Sequence, residues 1–311
     1  SSEVLAALTK NLSALMPIER FCLVSDTWAA TVAGLTPLAE FIKMARLFRD
    51  ETEINVWRAL IGAFNYLDMV ATDAQRPAVA AAVREIAGPA AARLGWSAVA
   101  DEDELQGQLR ALLLATLGTV GEDSAVQARA RELYDAWQLD PSKANRDLQP
   151  AFVSILAHAG DTARYQKFKQ HFKSARTPQE EQRYLFALAN FSEISLLRQT
   201  MEMTLNGEVR TQNAPYLLHS LLANNASRIE AWEFLKRNWA TIVEKFPDSA
   251  LPRMCEAING LLDRQAEVEE FFKQHKVRLG GKLIDQHLER LAVAVAFRQR
   301  EGTRLEESLK A

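Results

Sequence analysis

Trp57-Arg58-Ala59-Leu60-Ile61-Gly62-Ala63-Phe64-Asn65-Tyr66-Leu67 decides the fold class. Its large apolar side chains, Trp57, Leu60, Ile61, Phe64 and Leu67, recur at spacings of three and four. That places them on one face of a helix. Leu105, Leu109, Leu112 and Thr116 repeat the pattern, as do Trp232, Leu235, Trp239, Ile242 and Phe246. Ile284, Leu288, Leu291 and Val295 form a fourth stripe. No apolar/polar alternation runs beyond about five residues, the useful minimum for a strand. Helix punctuation agrees. Pro17 suits a first turn and Gly34 ends that segment. Thr177, followed by Pro178 and Glu180, reads as a capping-box-like start. Asp161 can cap the helix through Tyr165 and Phe168. The pattern predicts about sixteen helices of roughly 10–20 residues joined by short loops. The fold class is therefore all-α.

A long all-helical chain finds its natural solution in an α-solenoid of antiparallel helix pairs. The sequence shows no fixed period, so the repeats are degenerate and HEAT-like, in a curved two-layer stack. No Pro/Ser-rich linker divides residues 1–311, which are read as one domain. The likeliest internal break is 138–147, with Pro141, Ser142 and Asn145.

The chain has 311 residues, 48% apolar and 25% charged, an ordinary globular composition. The 37 Lys+Arg against 40 Asp+Glu give a net charge of -3. That argues against nucleic acid as a partner. Cys22 and Cys255 are read as buried free thiols, which favours a reducing, cytoplasmic setting. No stretch approaches the length and apolarity of a transmembrane segment. Ser1-Ser2-Glu3-Val4 lacks a basic and then apolar leader pattern, and the first residue is not Met. A processed chain or an excised domain is expected.

The residues carry no self-contained catalytic motif. His158, His171, His219, His275 and His287 are scattered, and none lies in a zinc-binding HExxH. Phosphate-binding and nucleophile-elbow glycine motifs are missing. Gly280-Gly281-Lys282 reads as a helix start. Asp101-Glu102-Asp103-Glu104 precedes a helix, where acids favour the positive end of its dipole. Lys167, Lys169, Lys173 and Arg176 surround Tyr165, Phe168 and Phe172. This is either a solvated face over an aromatic stripe or a peptide or nucleic-acid contact. Catalytic residues and metal ligands are expected to be absent from this chain.

Several segments in order resemble one family. Ile18-Glu19-Arg20-Phe21-Cys22-Leu23-Val24-Ser25-Asp26 is similar to the "R-x-x-L-x-x-D" opening helix of the C-terminal helical domain of M1-family zinc aminopeptidases. Leu47-Phe48-Arg49-Asp50-Glu51-Thr52-Glu53-Ile54-Asn55-Val56-Trp57 resembles that domain's "E-T-E-x-x-x-W" helix. Leu94-Gly95-Trp96, then Leu109-Arg110-Ala111-Leu112-Leu113-Leu114, fits its central segment. Val209-Arg210-Thr211-Gln212-Asn213 resembles a "V-R-x-Q-D" turn, with Asn213 where Asp is usual. Asn224-Asn225, Arg228 and Ala231-Trp232-Glu233-Phe234-Leu235-Lys236-Arg237-Asn238-Trp239 are similar to "N-x-x-G-R-x-x-A-W-x-F-x-x-x-N-W". Ser227 replaces the glycine there.

The resemblance, to aminopeptidase N-like enzymes and the antigen-trimming aminopeptidases of the endoplasmic reticulum, implies a non-catalytic domain of a larger enzyme. The implied parent removes N-terminal residues from peptides, using a zinc-bound water and a glutamate base. Its GxMEN and HExxH motifs are absent here, so the implied zinc belongs to a catalytic domain outside this chain. The implied partners are that catalytic domain, a β-sandwich domain of the same polypeptide, and the peptide substrate. The domain is expected to cap the active-site chamber and limit access. A stand-alone α-solenoid that binds protein is the alternative.

Within this reading, Trp57, Trp232 and Trp239 are expected in the core. Arg20 and Asp26 lie six apart, so they should each serve a structural contact elsewhere rather than pair. Arg210, Gln212 and Asn213 cluster at a corner that faces peptide or only closes a turn. Arg210 suits a peptide carboxylate. Asn213 suits the cap of the helix after it.

Overall fold

The computed structural model describes residues 8–98, 102–140, 142 and 147–310. Helices alone make up its regular structure, with no strand among the described residues. In chain order they are α1 (Pro17–Val32), α2 (Leu38–Ala45), α3 (Ile54–Val70), α4 (Arg76–Leu94), α5 (Glu104–Gly118) and α6 (Ser124–Leu139). Next come α7 (Gln149–His158), α8 (Thr162–Ser174), α9 (Pro178–Ala187), α10 (Ile194–Met203), α11 (Ala214–Ala223) and α12 (Arg228–Arg237). The last are α13 (Trp239–Lys245), α14 (Leu251–Met254), α15 (Gln265–Gln274), α16 (Gly281–Glu301) and α17 (Leu305–Lys310). No helix is long and apolar enough to cross a membrane.

Two compact units divide the chain: Ser1–Ile155 with Phe297–Ala311, and Leu156–Ala296. Of the segment read as an internal break, Pro141 and Asn145 lie outside the described residues.

In the first unit α1 packs on α2 and α3, α3 on α4 and α5, and α17 on α2 and α4. Trp57, Leu60, Ile61, Phe64 and Leu67 are all buried, as their spacing demands. Trp28 joins Phe41 at 4.9 Å and Tyr66 at 5.5 Å between ring centroids, and Tyr66 meets Phe297 edge-on at 5.4 Å. Buried apolar area of this kind is the main stabilising term. α1 starts on Pro17, with the Glu19 carboxylate accepting from the Met16 amide at 2.7 Å. It ends before Gly34, whose φ of +79° favours glycine. Arg300 covers that end, donating to the Thr31 and Val32 carbonyls at 2.9 and 3.0 Å.

Two expectations fail in this unit. Cys22 is exposed, because α1 buries the face holding Leu23, Val24, Thr27 and Thr31, and Cys22 lies on the other side. In α5, Leu105 is exposed, and Leu109, Leu113, Leu114, Thr116 and Leu117 are buried. The run Leu112–Leu114 offers two overlapping apolar faces, and packing on α3 and α4 selects the one through Leu113.

In the second unit α8 packs on α9, and α11 on α12, α14 and the 3-10 turn Cys255–Gly260. Asp161 caps α8 by accepting from the Arg164 amide at 2.9 Å. Thr177 caps α9 through the Glu180 amide at 3.2 Å. The Trp232-to-Phe246 stripe is buried throughout, but two helices carry it, because the chain breaks at Asn238. On α16, Ile284 and Leu291 are buried, with His287 and Ala294 beside them. Gly281 opens that helix.

Candidate functional site

Arg20, on α1, reaches the loop before α3. Its Nε and Nη2 donate to the two Glu51 oxygens at 2.6 and 2.9 Å, and Nη1 donates to the Leu15 carbonyl at 2.8 Å. Glu51 Oε1 also accepts from the Thr52 and Glu53 amides at 2.8 and 2.9 Å. Its backbone carbonyl accepts from Trp57 Nε1 at 3.0 Å. The E-T-E-x-x-x-W pattern is thus a built helix entrance: the first glutamate anchors Arg20 and satisfies amides that precede the helix. Burial pushes the Glu51 carboxyl up, but the bonds from Arg20 and the two amides outweigh it and hold it below the ordinary carboxylate range. Glu51 is the functional partner that spacing alone does not identify. Asp26 is exposed and makes no hydrogen bond or ion pair among the described residues.

Two further arginines serve the same way. Arg110 is buried and held bidentate by Glu102, with Nη1 to Oε2 at 2.8 Å, and it donates to the Leu94 carbonyl at 3.1 Å. Arg228 donates to the Leu222 and Ala223 carbonyls at 3.2 and 3.0 Å, closing the C-terminal end of α11. Ser227, where the family pattern has glycine, sends its hydroxyl to the Leu221 carbonyl at 2.6 Å. Gly260 leaves room for Arg228, since a Cβ there would lie 2.6 Å from Nε.

Trp57 and Trp232 are fully buried, and Trp239 is buried. Trp232 Nε1 donates to Glu267 Oε1 at 3.0 Å. Lys236 and Arg264 bond the same carboxylate, which hydrogen bonding, foremost from Lys236, pulls down to about 2.

The Val209–Asn213 corner is built differently from its sequence reading. Asn213 occupies the position before α11, but its backbone is helical (φ −97°, ψ −27°) and its side chain caps no amide. The turn is closed instead by the Arg210 carbonyl, which accepts from the Asn213 and Ala214 amides at 2.8 and 3.0 Å. Asn213 is buried and Gln212 exposed. The exposed Arg210 pairs with Glu181 at 3.0 Å. Nearby, Lys169 and Lys173 of the basic patch grip Glu208 at 3.2 and 2.9 Å. Bonds from Lys173 first, and then Asn206, lower that carboxyl to about 2. Tyr165, Phe168 and Phe172 are buried beneath, so the aromatics are core.

Among the described residues, no three His, Cys, Asp or Glu side chains converge on a point that suits a metal. His287 is buried and His219 half-buried, and the shielded Nδ1 of each has no hydrogen-bond partner. His287 Nε2 meets the Pro252 carbonyl at 3.0 Å.

The sequence matches the model of the ERAP1-like C-terminal domain over residues 1–293. Aminopeptidase M1-A of Oryza sativa subsp. japonica is 26% identical over 95% of this chain and 34% of its own length. Aminopeptidase M1 of Arabidopsis thaliana is 25% identical over 93% of the chain and 34% of its length. Aminopeptidase A of Gloydius brevicauda is 23% identical over 83% and 27%. The chain thus spans about a third of the length of the curated relatives it matches. The order of motifs from Arg20 to Trp239 and the match over residues 1–293 agree: the chain belongs to the ERAP1-like C-terminal domain family.

Proposed function

We propose that this chain is the non-catalytic C-terminal domain of a zinc aminopeptidase, in which it caps the active-site chamber and helps control peptide access. The observation that carries the reading is the family match over residues 1–293 together with relatives named as M1 aminopeptidases. The bonds of Arg20 to Glu51, of Arg110 to Glu102 and of Arg228 to the Leu222 carbonyl join segments of this chain, as a structural role requires. Zinc and the groups that activate water belong to the catalytic domain of the parent, and a β-sandwich domain and the peptide complete its set of partners.

The test is the parent polypeptide. Its coding sequence upstream of Ser1 carries GxMEN and HExxH, and the purified product cleaves an aminoacyl amide. The 311-residue chain alone does neither that nor bind stoichiometric Zn²⁺. An open reading frame that starts just before Ser1 favours a stand-alone scaffold instead. Peptide contact at the corner is tested with Arg210→Ala in the parent. A raised KM for long peptides, with a single-residue amide unaffected, supports it. An equal effect on both substrates removes it.

A further inference from the structure

The outward face of α1 is unlike that of an ordinary surface helix. A helix covering a core normally shows charged and polar residues to water. Ile18, Cys22, Ser25 and Ala29, with Ala33 just past the helix end, fall within about 80° of one another at 3.6 residues per turn. None is charged. They lie opposite the buried Leu23, Val24, Thr27 and Thr31. Large apolar side chains stand at both ends: Met16 is 62% exposed, Ile18 59% and Leu35 82%. Glu19 and the unpaired Asp26 flank the stripe on one side.

We propose that this face is a docking surface for the domain that precedes this one in the parent polypeptide. The inference rests on the aminopeptidase reading above. α1 is the first long helix of the described chain, so it lies nearest in sequence to whatever precedes it. Relatives of this chain are about three times its length and share it as a C-terminal domain, so on the aminopeptidase reading a large neighbouring body adjoins this end. The face suits such a neighbour: small residues along its middle allow close approach, Ile18 and Leu35 bury apolar area, and Asp26 offers a rim carboxylate to a lysine or arginine.

Cys22 sits in the face and reports on it. Cys255 is fully buried, and burial pushes its thiol up, so it serves as the internal control. The parent polypeptide is treated with N-ethylmaleimide, native and urea-unfolded, and the Cys22 peptide is followed by mass spectrometry. An interface open about 1% of the time slows Cys22 about 100-fold in the native parent. In the 311-residue chain Cys22 reacts within about threefold of the unfolded rate. Ala29→Arg leaves the urea midpoint of that chain unchanged but restores Cys22 labelling in the parent. Cys22 reacting as fast in the native parent as when unfolded overturns the docking surface. So does protection in the 311-residue chain that grows with concentration, which assigns the face to a second copy. A parent that cleaves aminoacyl amides while Cys22 labels freely sinks the docking surface and leaves the aminopeptidase reading standing. A gene that encodes no preceding domain sinks both.

Discussion

Removing the Glu51 carboxylate strands three groups together: the Arg20 guanidinium and the Thr52 and Glu53 amides. A half-buried charge left without its carboxylate, beside two amides that lose their acceptor, is destabilising. Glu51→Ala is expected to lower unfolding free energy by about 3 kcal/mol, read from urea denaturation. Trp232→Ala empties a fully buried site and takes the indole donor from Glu267, which keeps Lys236 and Arg264. The expected cost is about 3–5 kcal/mol, and a loss near zero would contradict its core position. At this scale the sequence is legible where one residue decides and opaque where two must meet. Thr177 and Asp161 are caps because their hydroxyl and carboxylate reach amides three residues on. The Arg20–Glu51 pair spans 31 residues and exists only because α1 packs on α3. Asn213 has the right residue type and position for a cap, yet its helical backbone and the Arg210 carbonyl leave its side chain without that task.

Elements follow the same division. Periodicity locates α3 and its buried stripe without help, because Trp57, Leu60, Ile61, Phe64 and Leu67 keep one spacing, and Ile54, Val56, Ala63 and Val70 only widen the same buried surface. In α5 three consecutive leucines make the choice ambiguous, and only the neighbours α3 and α4 resolve it. The stripe from Trp232 to Phe246 keeps helical spacing across the break at Asn238, so spacing alone joins what the backbone divides. The end of α11 offers a sharper test. Gly260→Ala puts a methyl 2.6 Å from Arg228 Nε and drives the guanidinium off the Leu222 and Ala223 carbonyls. A lost bond to a charged donor costs about 2 kcal/mol, so the urea midpoint falls. Arg228→Lys, which keeps the charge but not the fork, is expected to lose part of the same stability.

For the whole molecule, acid is the expected weakness. Burial lowers the imidazoles of His171, His219 and His287 below their ordinary value. Unfolded histidine titrates near about 6.5, so above that pH neither state binds the proton and the full stability is present. Below it the unfolded chain takes up protons that the folded chain refuses, and stability falls until pH passes the lowered folded values. The urea midpoint should therefore drop between pH 7.5 and 5.5, and His219→Asn with His287→Gln should flatten that drop. The helical class and the family are both legible in the order of the amino acids. The division into two units is not, because the first unit is discontinuous in sequence. Its last helix, α17, packs on α2 and α4, and the Leu309 carbonyl accepts from Arg46, 263 residues earlier. That closure sets an order of events on the ribosome. The second unit is one continuous stretch and leaves the exit tunnel complete, whereas α2 and α4 wait for α17. At about 5–20 residues per second the delay is roughly 10–40 s. During it the nascent chain shows an uncovered seam to chaperones, and only the arrival of Leu305–Lys310 can shut it.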